Sequence, residues 1–146
     1  MSLNIDEIYD LFSWDASYSE EEYEARVERG IGEAIKLRNL YPFMQPVLAD
    51  RNSKTVWEPC AKLIALKSDE DLDAYMYLLL AWLKDMNWPG ADVIFNRLST
   101  ISYDVIKLPL EICLSSSKKS NDTVWEKSLI AFESYIKTSQ SYQSDN

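Results

Sequence analysis

Carboxylates are the side chains in this sequence best equipped for chemistry. Asp85, taken with Asp92 or Glu58, could act as a general acid and base, one carboxyl donating a proton while the other accepts one. The 146-residue chain has no histidine, which removes Ser-His-Asp and Cys-His catalysis, the HExxH zinc motif and nearly every catalytic zinc site. Cys60 and Cys113 are far apart, outside any CxxC, and each lies in an apolar run. Both read as buried, reduced thiols rather than nucleophiles. With no Gly-rich phosphate loop and no metal-ligand spacing, no cofactor and no metal are expected.

The second constellation is a corner. Trp82, Asp85, Asn87 and Trp88 crowd into seven residues where the most apolar helix of the chain must stop before Pro89. Two readings stay open: a partner-binding site in which Trp88 is an exposed anchor, or architecture in which both tryptophans are packing. Tryptophans are enriched at interaction hot spots, yet beside a proline corner they are more often core. Asp85 sits in the last turn of its helix, facing the negative end of the macrodipole, and needs compensation. The free N–H groups that open the next helix after Pro89 are the expected partners, with Asn87 as that helix's cap and Pro89 in its first turn.

The motif Trp82-Leu83-x-Asp85-x-Asn87-Trp88-Pro89, preceded by Lys67-Ser68-Asp69-Glu70 and Trp57-Glu58, resembles a family of small bacterial proteins known only as a domain of unknown function. The likeness covers residues 56–98. It implies a compact HEAT-like helical fold and a role as an immunity protein or other partner-binding module, and it brings no activity. Pro59 and Gly90 depart from that pattern, and Gly90 is expected to loosen the turn after the corner.

Charge supplies the third constellation. Residues 1–28 hold nine acids against Arg26 alone, a net −8 out of the chain's −9. Such a field disfavours nucleic acid and anionic membrane and steers a basic protein partner. On a helical projection Glu20, Glu21, Glu24 and Glu28 form one stripe, so these four are expected to meet that partner, unless they serve only solubility.

The elements that must position these residues are helical. The chain is 47% hydrophobic with only 3 Gly and 5 Pro, and one domain of this size buries about 68–70% of its unfolded surface. Ser19-x-x-Glu22 and Thr55-x-x-Glu58 read as capping boxes, and Ser68 as an N-cap. They open helices to about residue 38, to residue 67 and to the corner. In the second helix Gly30 lies on the apolar side and favours close packing. A short helix over residues 3–12 and a turn or two between Pro42 and Pro46 complete the first third, with a linker at 50–53. After the corner come a helix at 89–101, an apolar segment at 103–115 kinked or delayed by Pro109, a loop at 115–122 and a last helix at 121–138. Thr55-Val56-Trp57-Glu58 recurs as Thr123-Val124-Trp125-Glu126, a weak sign of repetition.

The expectation is an all-α, single-domain, HEAT-like array of about seven or eight helices over residues 1–138, with a frayed tail at 139–146. The N-terminus lacks basic residues and an apolar core, so no signal peptide is expected and the cytoplasm is the default address. The run from Tyr75 to Leu83 is too short to cross a bilayer. The expected role is non-catalytic binding of a basic protein, such as a toxin. The alternatives are a carboxylate enzyme at the Asp85, Asn87 and Trp88 corner and a purely structural subunit.

Overall fold

Local chemistry sets the first two helices. In α1 (Ile5–Phe12) the Asn4 side chain accepts from the Glu7 N–H at 2.8 Å while Glu7 accepts from the Asn4 N–H at 3.3 Å, a reciprocal cap. Helix α2 (Glu20–Ala34) opens at Ser19, whose hydroxyl accepts from the Glu22 N–H at 3.1 Å. It stops short of residue 38 because its end is clamped: Lys67 Nζ donates to the Ile35 and Leu37 carbonyls at 2.6 and 2.9 Å. At Gly30 a Cβ would lie 2.5 Å from the Phe12 ring, so the bare backbone lets α2 rest on α1. The structure, a computed structural model, describes residues 3–46 and 54–144, and the linker expected at 50–53 lies outside them.

A 3-10 turn at Tyr41–Phe43 follows, with Pro42 inside it. Helix α3 (Trp57–Ala65) does not begin with the expected capping box. A 3-10 turn at Lys54–Val56 feeds it, no side chain caps it, and the Thr55 hydroxyl accepts from the Trp14 N–H at 3.3 Å instead. A tertiary contact has taken the hydroxyl that the local pattern assigned to the helix.

Ser68 does cap, accepting from the Asp71 N–H at 3.1 Å. The helix it opens is not continuous to the corner. It divides into α4 (Asp69–Leu72), a 3-10 turn at Asp73–Tyr75, α5 (Met76–Ala81) and a 3-10 turn at Trp82–Lys84. At the first break Tyr75 leaves the helical region, with φ −113° and ψ 9°, and its hydroxyl accepts from the Leu40 N–H at 3.0 Å. A helix greasy on two sides is here bent to serve neighbours on both.

Helix α6 (Ala91–Leu98) leads to α7 (Tyr103–Lys119), which runs through Pro109 and through the serines expected to form a loop. Those hydroxyls bond back to their own helix, Ser117 to the Leu114 carbonyl at 2.7 Å and Ser120 to the Ser116 carbonyl at 2.9 Å. Helix α8 (Thr123–Ser144) is capped by Asp122, which accepts from the Trp125 N–H at 3.0 Å. It passes the expected end at residue 138 because Gln140 is tied down, accepting from the Tyr103 N–H at 2.9 Å and donating to the Ile101 carbonyl at 2.7 Å.

All regular elements among the described residues are helical, so the fold is all-α. Consecutive helices pair at both ends, α1 with α2 and α7 with α8, while in the middle α3 lies against α6 and α5 against α7. Trp57, Trp82, Phe12, Phe43 and Phe132 are the largest fully buried side chains. Trp125 is also buried, its indole N–H donating to the Leu80 carbonyl at 3.0 Å. Cys60 and Cys113 are free, buried thiols. Burial pushes both pKa values up, that of Cys113 to about 11 against a small opposing pull from Lys84. No helix of the described residues is long and apolar enough to cross a membrane.

Candidate functional site

At the corner the chain turns twice. Asp85 Oδ1 accepts from the Asn87 N–H at 2.8 Å, and the Trp88 N–H donates to the Asp85 carbonyl at 3.0 Å. The carboxylate therefore compensates within its own turn rather than at the next helix, because an Asx-type bond two residues on needs no distant partner. Then Trp88-Pro89-Gly90-Ala91 forms a second turn closed by the Ala91 N–H on the Trp88 carbonyl at 3.1 Å. Gly90 has φ 83° and ψ −8°, the third-position geometry of a type II turn whose second position suits proline. Helix α6 consequently starts from Gly90, without a side-chain cap, and Asn87 is exposed in the first turn rather than capping it.

Gly90 tightens the corner instead of loosening it. A Cβ there would meet Ala61 Cβ at 2.6 Å and the Trp57 carbonyl at 3.2 Å, so the missing side chain is what lets α6 lie on α3. Trp57 is also the centre of an aromatic set, edge to face with Trp82 at 6.5 Å and with Trp88 at 5.5 Å between ring centres. Trp82 is fully buried, its indole N–H donating to the Pro89 carbonyl at 3.2 Å. Trp88 is half-buried. These contacts are packing contacts.

The acidic stripe lies on the outside of α2, where Glu20, Glu21, Glu24 and Glu28 are all exposed. Among the described residues none of the four has an ion-pair partner. Arg26, the one nearby cation in residues 1–28, is occupied elsewhere: it donates to the Asp10 carbonyl at 2.8 Å, pairs with the Asp10 carboxylate at 3.2 Å and covers the Tyr18 ring at 4.7 Å.

Three of these glutamates, Glu20, Glu24 and Glu28, rim a groove of about 500 Å³ between α2 and α3. Its far wall carries Glu58 and Lys62, 3.9 Å apart, and its floor is Val27, Ile31 and Pro59. Tyr23, Thr55 and Glu58 also line a cleft of about 320 Å³ that continues to Trp14, Lys54 and Pro89. The stripe forms the rim of this surface, and the corner approaches it only through Pro89. Glu21, Trp82, Asp85, Asn87 and Trp88 are not among the lining residues.

Tyr23 joins the walls. Its hydroxyl donates to the Phe12 carbonyl at 2.7 Å, with a longer contact to the Thr55 carbonyl at 3.3 Å. Its pKa is raised, first by burial and then by Glu58 and the Cys60 thiol. Tyr23, Val27, Ile31 and Pro59 were beyond sequence reasoning as site residues, since α2 and α3 are not adjacent along the chain. Glu58, which the sequence offered as a carboxylate partner for Asp85, lies in the wall of this groove.

A larger cleft of about 760 Å³ is polar and shallow in chemistry, lined by Asp69, Ser99, Thr100, Ser102, Tyr135, Ser139 and Gln140. Its carboxylate is already engaged by Arg97 at 2.6 Å. No group of three or more Cys, Asp or Glu among the described residues could hold a metal ion.

Residues 50–144 match the family described as a domain of unknown function, DUF5071. The chain belongs to this family. The match reaches well beyond the stretch 56–98 that carried the resemblance and takes in α3 to α8. In this DUF5071 protein the groove is therefore composite, one wall from the matched segment and the other from α2 before it. No curated protein and no solved structure matches the chain.

Proposed function

We propose that this DUF5071 protein is a non-catalytic binding module of the bacterial cytoplasm that takes a basic segment of another protein into the groove between α2 and α3. The observation that carries this reading is the juxtaposition of four exposed carboxylates, Glu20, Glu24, Glu28 and Glu58, with an apolar floor of Val27, Ile31 and Pro59. Rim charge selects and steers, while affinity comes from apolar side chains leaving water. An amphipathic segment with lysine or arginine beside aliphatic residues complements both features. An immunity-type protein neutralising a basic toxin is the form of this role that we favour.

The test compares wild type, the fourfold variant Glu20→Gln, Glu21→Gln, Glu24→Gln, Glu28→Gln, and Ile31→Arg. Each captures partners from an extract of the native host, and association of the captured protein is followed against salt. The fourfold variant should fold normally, associate about tenfold more slowly at low salt and lose most of its salt dependence. Ile31→Arg should lose the partner. Recovery of the same partner by all three proteins, with unchanged salt dependence, overturns the reading.

A further inference from the structure

The outer side of α7 is more apolar than its core contacts require. Its inner side is accounted for by Ile106, Leu110, Cys113 and Ser117, all buried at helical spacing. Away from that side Val105, Leu108 and Ile112 recur at i, i+3 and i+7, and they remain 48%, 61% and 46% exposed. No other helix among the described residues aligns three large exposed hydrophobic side chains in this way.

Charge along the same helix says what covers the stripe. Asp104, Lys107, Glu111 and Lys118 are exposed and follow one flank of it, with signs that run minus, plus, minus, plus. Among the described residues none of the four is in an ion pair. Read backwards, the order becomes plus, minus, plus, minus. The order of signs is therefore complementary to itself when reversed, with the spacing matching to within about half a helical turn.

We propose that α7 packs against α7 of a second copy of this chain, antiparallel, about a two-fold axis near position 110. In an antiparallel helix pair related by a two-fold axis, the same flank of each helix faces its own copy. With the axis at position 110, Leu108 packs beside Ile112 of the second copy, while Asp104 and Lys118, and Lys107 and Glu111, are each offset by two residues, about 3 Å along the helix, within the reach of a lysine side chain. The acidity of the chain does not oppose this contact, because α7 itself carries two acids and three bases. One helix per copy is a small interface, below about 1,200 Å² in total, the size of weak and transient contacts, so the dimer dissociates on dilution.

The helix contributes no residue to the groove between α2 and α3, so the dimer presents two grooves and gives avidity toward a repeated or dimeric partner. It also stands or falls separately from the binding proposed there.

Sedimentation equilibrium of the full chain over a concentration series tests the pairing, with circular dichroism to verify folding. Wild type should pass from monomer to dimer, and L108E should weaken association by about tenfold or more. K107E sets two acids against each other and should also weaken it by about tenfold, whereas K107E/E111K restores opposite charges and should return to within about threefold of wild type. Since all three positions are exposed, each variant keeps its helical spectrum. A wild type that stays monomeric at about 1 mM, an L108E variant that dimerises like wild type, or a double variant no tighter than K107E overturns the proposal.

Discussion

Replacing Gly90 by Ala adds one methyl group at the point where α6 meets α3. Two costs follow from the geometry. A residue with a Cβ held at φ 83° pays about 1–2 kcal/mol for the left-handed conformation. The new Cβ also arrives 2.6 Å from Ala61 Cβ and 3.2 Å from the Trp57 carbonyl, groups with no flexible end to swing away. Overpacking of this kind costs about 1–3 kcal/mol. Against these, Ala restricts the unfolded chain more than Gly and returns about 0.4–1 kcal/mol. The net loss is about 1–5 kcal/mol, read as a lower urea midpoint at constant slope. The two costs separate in an Ala61→Gly background, where the nearest contact is gone but the backbone strain persists. Gly90→Ala should then cost less by about 0.5–3 kcal/mol, the coupling expected of touching residues. If Gly90→Ala is as stable as wild type, or costs the same in both backgrounds, the close approach of α6 to α3 is not what makes glycine necessary there.

Trp82→Ala should cost about 3–5 kcal/mol, since it empties a fully buried site and orphans the Pro89 carbonyl, while Trp88→Ala, at a half-buried position, should cost clearly less. Equal losses in urea titrations would contradict the packing order of the three tryptophans. Stability should also fall in alkali. A thiol whose folded pKa is raised keeps its proton while the unfolded thiol loses it, so the contribution of Cys113 is complete below its ordinary value of 9.0 and is lost as pH rises to about 11. Melting temperatures of wild type and Cys113→Ala across that window check this, and the variant should show the flatter profile.

The sequence by itself determined the helical class, the starts at Ser19 and Ser68, and the acidic face of α2. Each depends on groups within one or two helical turns, so neighbouring residues suffice to specify it. The same local logic failed where a distant group competed for a side chain. The Thr55 hydroxyl went to Trp14 rather than to its own helix, the tie between Tyr75 and Leu40 accompanies the break after α4, and Gln140 is tied to Tyr103 and Ile101 in a helix α8 that passes its expected end at residue 138. Gly90 shows the difference most plainly. Its chemistry permits a left-handed turn, but its necessity comes from Ala61 and Trp57 on another helix. The groove is of the same kind. Its rim was visible as a stripe of glutamates, whereas its floor and far wall exist only because packing brings α3 beside α2, and no spacing along a chain encodes the distance between two helices that the core alone holds together.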